Sequence, residues 1–318
     1  MLFSSKNRNR LVGIDIGTTA AKLVEMSRVG RAIRVDHYAY EPIAPGLIIE
    51  HQIKDIEQVG SAVQRLVARS GTKLKRAGVC VPSTNVISKG ITVQSDISED
   101  ELDALVEVEA DRVVPYALDD VNIDYINLGK SPSSDGEDQV QLVVCRKNVV
   151  ESLVAVLEEA DLEPVAVDVD HFALHDNRII YTRENPYGGR QLIDSISQKY
   201  GLPPQDAAHA LRNNELAETF KNDVLKPFVK TLMQEILRTL QFFYSSSTHN
   251  KVDQLLITGG CAQIGNIDKF IEKRIEVPTA ILNPFAATRL GPKVDAARFR
   301  RDIPSLGVAA GIALRGVE

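Results

Sequence analysis

Two rhythms of apolar residues alternate along the chain. Leu11 to Ile16, Lys22 to Ser27 and Arg31 to Tyr40 read as three strands parted by Gly17-Thr18 and Val29-Gly30, a meander that opens a sheet. Ile56, Val59, Val63, Leu66 and Val67 then recur at three- and four-residue steps, which predicts an amphipathic helix from Asp55 to Ser70 closed by Gly71. Ala77 to Val81 reads as a short buried strand ending at Pro82, and Val86 to Val93 alternates like another. Strand, helix and strand together predict a mixed α/β layer.

A new unit begins near Ser83. Ser98 is placed to cap a helix while Glu101 reaches back, Leu102, Leu105, Val106 and Val113 carry its apolar face, and Val114-Pro115 ends it. Strands Val121 to Leu128 and Val140 to Arg146 flank a polar loop, Lys130 to Asp138. A helix from Val149 to Leu162 and a strand from Pro164 to Val169 complete a β-α-β-β-α-β order, the pattern of a small subdomain set within a larger fold. Farther on, Ile179 to Thr182 reads as a brief strand and Leu192 to Tyr200 as a helix stopped at Gly201. A long helix runs from Val224 to Tyr244, and a strand from Gln254 to Thr258 turns sharply at Gly259-Gly260.

Length and composition narrow the class. At 318 residues the chain holds about two domains by the usual domain size. Its 44% hydrophobic and 25% charged residues are those of a folded protein. Lys and Arg number 37 against 43 Asp and Glu, so the net charge of -6 argues against a dedicated nucleic-acid binder and confines any phosphate recognition to a local site. Cys80, Cys145 and Cys261 lie far apart without CxxC spacing, which argues against a disulfide framework and a thiolate cluster and fits a reducing compartment. No apolar run reaches the ~18 residues of a membrane span. Met1 to Arg10 is basic and polar without the apolar segment of a secretory signal.

Several clusters could carry chemistry. The strand ending in Asp15 runs into Gly17-Thr18-Thr19, which sets a carboxylate, two hydroxyls and backbone N–H groups at one tight turn. Such a turn can hold phosphate, with Asp15 holding Mg²⁺ through water, or can be an ordinary hairpin. The glycines after Ile257 mimic a P-loop in spacing, but Asn266 and Ile267 stand where Lys and Ser or Thr are required. Glu235 and Arg238 share a helix face; they suit a ribose and an adenine ring, and equally a solvated ion pair. His171 and His175 have the i, i+4 spacing of zinc sites without the accompanying Glu, and read as caps or surface residues.

Taken in order, Gly13-Ile14-Asp15-Ile16-Gly17-Thr18-Thr19, Gly188-Gly189-Arg190-Gln191-Leu192, Glu235 to Arg238 and Ile257-Thr258-Gly259-Gly260 resemble the motifs of the actin/Hsp70 nucleotide-binding superfamily. The β-α-β-β-α-β insertion resembles the 1C (SHS2) subdomain of its FtsA-like branch. Leu11 to Glu25, Ile179 to Glu184 with Tyr187-Gly188-Gly189, and Met233 to Phe243 resemble the PilM family of type IV pilus assembly proteins over nearly the whole chain. This resemblance implies an α/β, actin-like (ribonuclease H-like) two-lobed fold, with residues 1–82 as first lobe, 83–165 as the inserted 1C subdomain, 166–305 as second lobe and 306–318 as a helix returning to the first lobe.

The resemblance further implies ATP or ADP with Mg²⁺ as cofactor. Asp15, Gly17, Thr18, Thr19 and Lys22 would lie at the phosphates, Asp15 as the metal residue, with Gly188 and Gly189 in the second lobe's turn. Glu235 and Arg238 would flank ribose and adenine, and Gly259 and Gly260 the adenosine. It implies a cytoplasmic scaffold of twitching motility that is peripheral to the inner membrane, binds the PilN N-terminal tail in a groove near Pro42 to Ile53, and contacts platform proteins. A homodimer is compatible with it, and any catalysis is at most weak ATPase activity. One departure stands out: no DIG-type phosphate-2 hairpin precedes Asn177-Arg178-Ile179, which implies a second lobe truncated at Asp176-Asn177 that lacks one jaw of the phosphate clamp. Two other functions of the superfamily fit the sequence less well. An FtsA-like division protein requires a C-terminal amphipathic membrane helix, for which Gly307 to Glu318 is too short, and a sugar-kinase-like phosphotransferase requires a catalytic Asp in a sugar pocket that no segment offers.

Overall fold

Alternating Val12, Ile14 and Ile16 with Gly13 and Asp15 gives a strand two different faces, and the fold uses both. The computed structural model describes residues 9–131, 135–174, 181, 183, 185, 187–247 and 249–317. The expected strand from Ile179 to Thr182 (Tyr181 apart), His175, and the junction at Asp176-Asn177 lie outside these. The chain opens with β1 (Val12–Ile16), β2 (Ala20–Val29) and β3 (Ala32–Pro42), an antiparallel meander as the sequence predicts. β4 (Ile48–Ile49) and β5 (Gln52–Ile53) form a small separate hairpin. α1 (Ile56–Ser70) begins where the Asp55 carboxylate accepts from Gln58 N–H and stops at Gly71, whose φ of 71° is the left-handed cap that glycine favours. β6 (Arg76–Val81) returns parallel to β1.

Next come β7 (Val86–Gln94), α2 (Glu99–Val113), β8 (Val121–Lys130), β9 (Glu137–Arg146), α3 (Lys147–Glu159), β10 (Glu163–Val169) and α4 (Asp170–Leu174). The expected capping box closes α2: Ser98 Oγ accepts from Glu101 N–H, and the Glu101 carboxylate accepts from Ser98 N–H at 3.1 Å. β7, β9 and β8 make an antiparallel three-stranded sheet, on which α2 buries Leu102, Val106 and Ala110. The loop between β8 and β9 is shorter than the polar sequence suggests. Lys130 still pairs with Asp138, because a hairpin ladder needs backbone groups and no apolar side chain.

The β-α-β-β-α-β order is present, yet its last helix and strand pack in the first lobe. Leu153, Val156 and Leu157 of α3 join Val12, Ile14, Val59 and Val63 in one core, and β10 pairs parallel to β6 from Glu163 opposite Arg76 to Val169 opposite Val81. The expected boundary at 165/166 therefore falls inside β10. The physical reason is that β6 has a second edge of backbone groups to satisfy, and β10 supplies the partner.

The rest comprises α5 (Gly189–Tyr200), α6 (Pro204–Asn213), α7 (Lys226–Ser246) after a wider turn at Lys221–Leu225, β11 (Leu255–Ile257), α8 (Ile267–Ile275), β12 (Thr279–Ile281), β13 (Thr288–Leu290), α9 (Ala296–Asp302) and α10 (Gly307–Arg315). β13 joins β3 in parallel, completing a first sheet of order β10-β6-β1-β2-β3-β13. Among the described residues the second sheet is the parallel pair β11 and β12.

α10 is the strut between the two halves. It lies directly on the glycine face of the first sheet: a Cβ at Gly13 would collide with Ala309 O and stand 2.6 Å from Ala313 N, and one at Gly78, in register with Gly13, would stand 2.6 Å from Ile312 Cγ2. Leu306, Ala309, Ala310 and Ala313 fill the space over Val24, Met26 and Val35. At its other end a Cβ on Gly307 would stand 2.8 Å from Thr258 Oγ1, just before Gly259.

Candidate functional site

The turn after β1 is held by its own backbone: Gly17 N–H donates to Ala20 O at 3.0 Å, and Thr19 O accepts from Ile43 N–H at 3.0 Å. Lys22 lies opposite Asp15 in the β1–β2 register, and its Nζ sits 2.8 Å from Asp15 Oδ2, both side chains largely buried. A Cβ at Gly17 would come within 3.1 Å of that ammonium, so the glycine leaves room for the cation. Thr18 and Thr19 are half-buried in the same turn. The result is a neutralised carboxylate and an ammonium at the mouth of a tight hairpin.

In the second half, Gly188 and Gly189 open α5, with Gly188 N–H donating to Gln191 Oε1 at 2.8 Å and open space over both glycines. α7 lays Met233 and Ile236 on Leu255 and Ile257 of β11, which leaves Glu235 and Arg238 on a neighbouring face. There Arg238 Nη1 donates to both Glu235 oxygens at 3.1 Å, and Asn185 Nδ2 donates to Oε2 at 2.5 Å. Each side chain thus has the other as its partner, the solvated-pair arrangement also open from sequence. Gly259 has φ 91°, a conformation that only glycine adopts cheaply, and its N–H donates to Pro304 O at 2.7 Å; Gly260 starts the following short turn.

The strut brings two of these motifs together. Gly307 touches the Thr258 turn and Ala309 touches Gly13, and two residues of helix are about 3 Å of rise. Asp15 and the Gly259 turn therefore flank one end of α10, beside the C-terminal ends of β1, β6 and β10, where open parallel sheets bind ligands. Asp168 pairs with Cys80 in the sheet register and is held by Arg315 at 2.6 Å. Burial, with the carboxylates of Asp15, Asp168 and Asp170, pushes the Cys80 thiol far up; burial likewise raises the Asp170 carboxyl, which accepts from Ser83 N–H at 3.2 Å. Among the described residues no three His, Cys, Asp or Glu side chains gather as a metal cluster.

A groove of about 420 Å³ opens between the β4–β5 hairpin and α3 on one side and the β7–β9 unit on the other. Ile48, Ile53, Val149 and Leu153 face Val86 and Val144 across it. His51, Asn85, Asn148 and Arg146 supply polar groups; Asn85 Nδ2 donates to His51 O at 3.3 Å, and the Arg146 guanidinium lies 4.9 Å from the Tyr116 ring centre. Glu50 and His51 both have positive φ, 49° and 59°, so a two-residue hairpin turn that ordinarily takes Asn-Gly is built here from two bulky residues. Backbone strain of this kind concentrates at functional sites. A wider hollow of about 580 Å³, lined by Tyr125, Ile126, Val167 and Phe172, lies against β8 and β10 and shows no such strain. Part of its lining, Ile48 and His51 to Ile53, falls in the Pro42 to Ile53 stretch to which the resemblance points, and Val86, Val121 and Val144 supply the inserted-unit wall.

Comparison with known proteins fits this geometry. The family described as type IV pilus assembly protein PilM matches residues 13–177 and 173–317, two stretches that overlap at residues 173–177. The solved PilM-PilN type IV pilus biogenesis complex is similar at TM-score 0.81 and 23% identity, over 97% of this chain and 99% of that one. The ethanolamine utilization protein EutJ from Carboxydothermus hydrogenoformans is similar at TM-score 0.53 and 13% identity, over 96% and 90%. These likenesses show the two-lobed actin-like fold. With both halves of the sequence matched, the chain belongs to the PilM family of type IV pilus assembly proteins.

Proposed function

We propose that this chain is a cytoplasmic scaffold of the type IV pilus inner-membrane platform and that it captures the N-terminal cytoplasmic tail of PilN in the groove between the β4–β5 hairpin and the β7–β9 unit. The observation that carries this reading is that groove: an apolar floor, a polar rim and a strained hairpin, in a family member whose solved relative is a PilM-PilN complex. No helix among the described residues is long and apolar enough to cross a membrane. The working units are the first lobe (1–82, joined by α3 and β10), the unit inserted from residue 83, the second lobe up to 305 and the returning helix 306–318. Other platform proteins and a second copy are further proposed partners. Gel filtration of the chain with a PilN tail peptide tests the reading: a stoichiometric complex supports it, and a folded chain that elutes free of peptide overturns it.

We infer further that the end of α10 near Asp15 takes ATP or ADP with Mg²⁺. Lys22 and the turn amides of Gly17, Thr18 and Thr19 would face the phosphates, and Asp15 would hold the cation, whose remaining ligands would be phosphate oxygens and water. Glu235 and Arg238 would exchange their mutual pair for ribose and adenine, with Gly188, Gly189, Gly259 and Gly260 lining the second lobe's side. The open space over these glycines and the Lys22 ammonium support this. Calorimetric titration with Mg-ATP decides: micromolar binding sustains a nucleotide-responsive scaffold of at most weak ATPase activity, and no binding by the folded chain leaves a constitutive peptide platform.

A further inference from the structure

We propose that the tip of the β2–β3 hairpin, with the adjoining strand β13, docks on an anionic phospholipid bilayer. The tip turns through Gly30, at φ 63°, and places Arg28, Val29 and Arg31 side by side at the end of the first lobe. Arg34 pairs with Ser27 across β2–β3 and with Arg289 across β3–β13, so two arginines stand in one cross-strand row, normally a repulsive arrangement. Among the described residues only Arg34 of these four has a carboxylate partner, Asp36 at 2.5 Å; Arg28 Nε donates to Val317 O at 3.1 Å. This concentration of cations sits on a chain of net charge -6. Val29, on the same face as Arg34 and Arg289, is 42% exposed, and Leu290, beside Val35 on the opposite face, is 38% exposed.

Guanidiniums beside exposed aliphatic side chains match the interface of an anionic bilayer: arginine bridges phosphates bidentately while small apolar groups enter the headgroup boundary. Nucleic acid is the poorer fit, because the tip offers no aromatic side chain for base stacking. An acidic polypeptide is also the poorer fit, since the groove and the wider hollow described above lie elsewhere. The peptide groove touches Ile16 and Ile48, at the opposite end of β2 and β3; ten or eleven residues of strand put roughly 33 Å between groove and tip. The proposal therefore stands whether or not the groove binds PilN.

Cosedimentation of the purified chain with vesicles tests it. Vesicles of phosphatidylglycerol and phosphatidylcholine in equal parts should bring the protein down and phosphatidylcholine alone should not, with release by added salt. Each arginine near an anionic surface is worth about a fivefold change in partition, so Arg31→Ala with Arg289→Ala should cost about 25-fold. Both side chains lie away from the groove, so the double variant should still form the peptide complex and melt as the parent does. Val29→Ser should weaken binding without altering its salt dependence. Absence of sedimentation, equal binding to phosphatidylcholine, a double variant that binds like the parent, or capture of polyglutamate in place of vesicles would each overturn the proposal.

Discussion

Arg212 ties the α6 region to the first lobe. Its Nη2 lies 3.1 Å from both oxygens of Asp302 at the end of α9, and its guanidinium stacks 3.6 Å from the centre of the Tyr40 ring on β3. The Asp302 side chain is 1% exposed and that of Arg212 19%; the next cation, Arg301, is 3.7 Å away. Arg212→Ala leaves a buried carboxylate with that one weaker partner. Breaking a buried pair costs about 3–5 kcal/mol, and the remaining Arg301 and partial water access put this case near the lower bound. The lost cation–π contact adds about 1 kcal/mol, for a total of about 4 kcal/mol against the 5–15 kcal/mol that holds a typical domain. The chain has no tryptophan, so urea unfolding is best followed by circular dichroism, with Asp302→Asn and the double variant completing a cycle. A loss under about 1 kcal/mol for Arg212→Ala, or strict additivity in the cycle, would refute the reasoning.

Three further outcomes are expected. Gly13→Ala forces a methyl into Ala309 O, so α10 must shift off the sheet; a loss of at least about 1–3 kcal/mol in chemical denaturation checks this. Gly259→Ala, at φ 91°, should cost about 1–3 kcal/mol in the same assay. Burial pushes the thiols of Cys145 and Cys261 up to about 11 and that of Cys80 further, so native alkylation at pH 8 should be on the order of 100-fold slower than in urea. Because these pKa values are raised on folding, their contribution to stability is complete below about pH 9 and is lost as pH climbs toward 11; a pH series of melting curves reads the sign.

What the sequence made legible was local. The Ser98–Glu101 capping box, the Gly71 stop, the β1–β3 meander and the sharp turn at Gly259 depend on residues within a few positions of one another, and the structure has all of them. Partnerships across long separations were not legible. Periodicity marks Pro164 to Val169 as a strand but not that β6 is its neighbour, so the boundary at 165/166 falls inside β10. The short helices α6, α8 and α9 expose too little apolar pattern to stand out, although Pro204 near the start of α6 and Asn214 at its left-handed cap were usable signals. The sites divide the same way. Lys22 opposite Asp15 follows from hairpin register, whereas the Arg212–Asp302 tie joins residues ninety positions apart and the groove's far wall comes from β7 and β9.

The central claim, that the groove is where a PilN tail is held, is tested most directly by fluorescence anisotropy of a labelled tail peptide titrated with the chain and with Ser152→Trp, which fills the groove from α3. The account predicts saturable one-to-one binding to the parent and a Kd weaker by at least about tenfold, or 1.4 kcal/mol, for the variant, with unchanged melting. Equal affinity for both, or no binding by the folded parent, would contradict it.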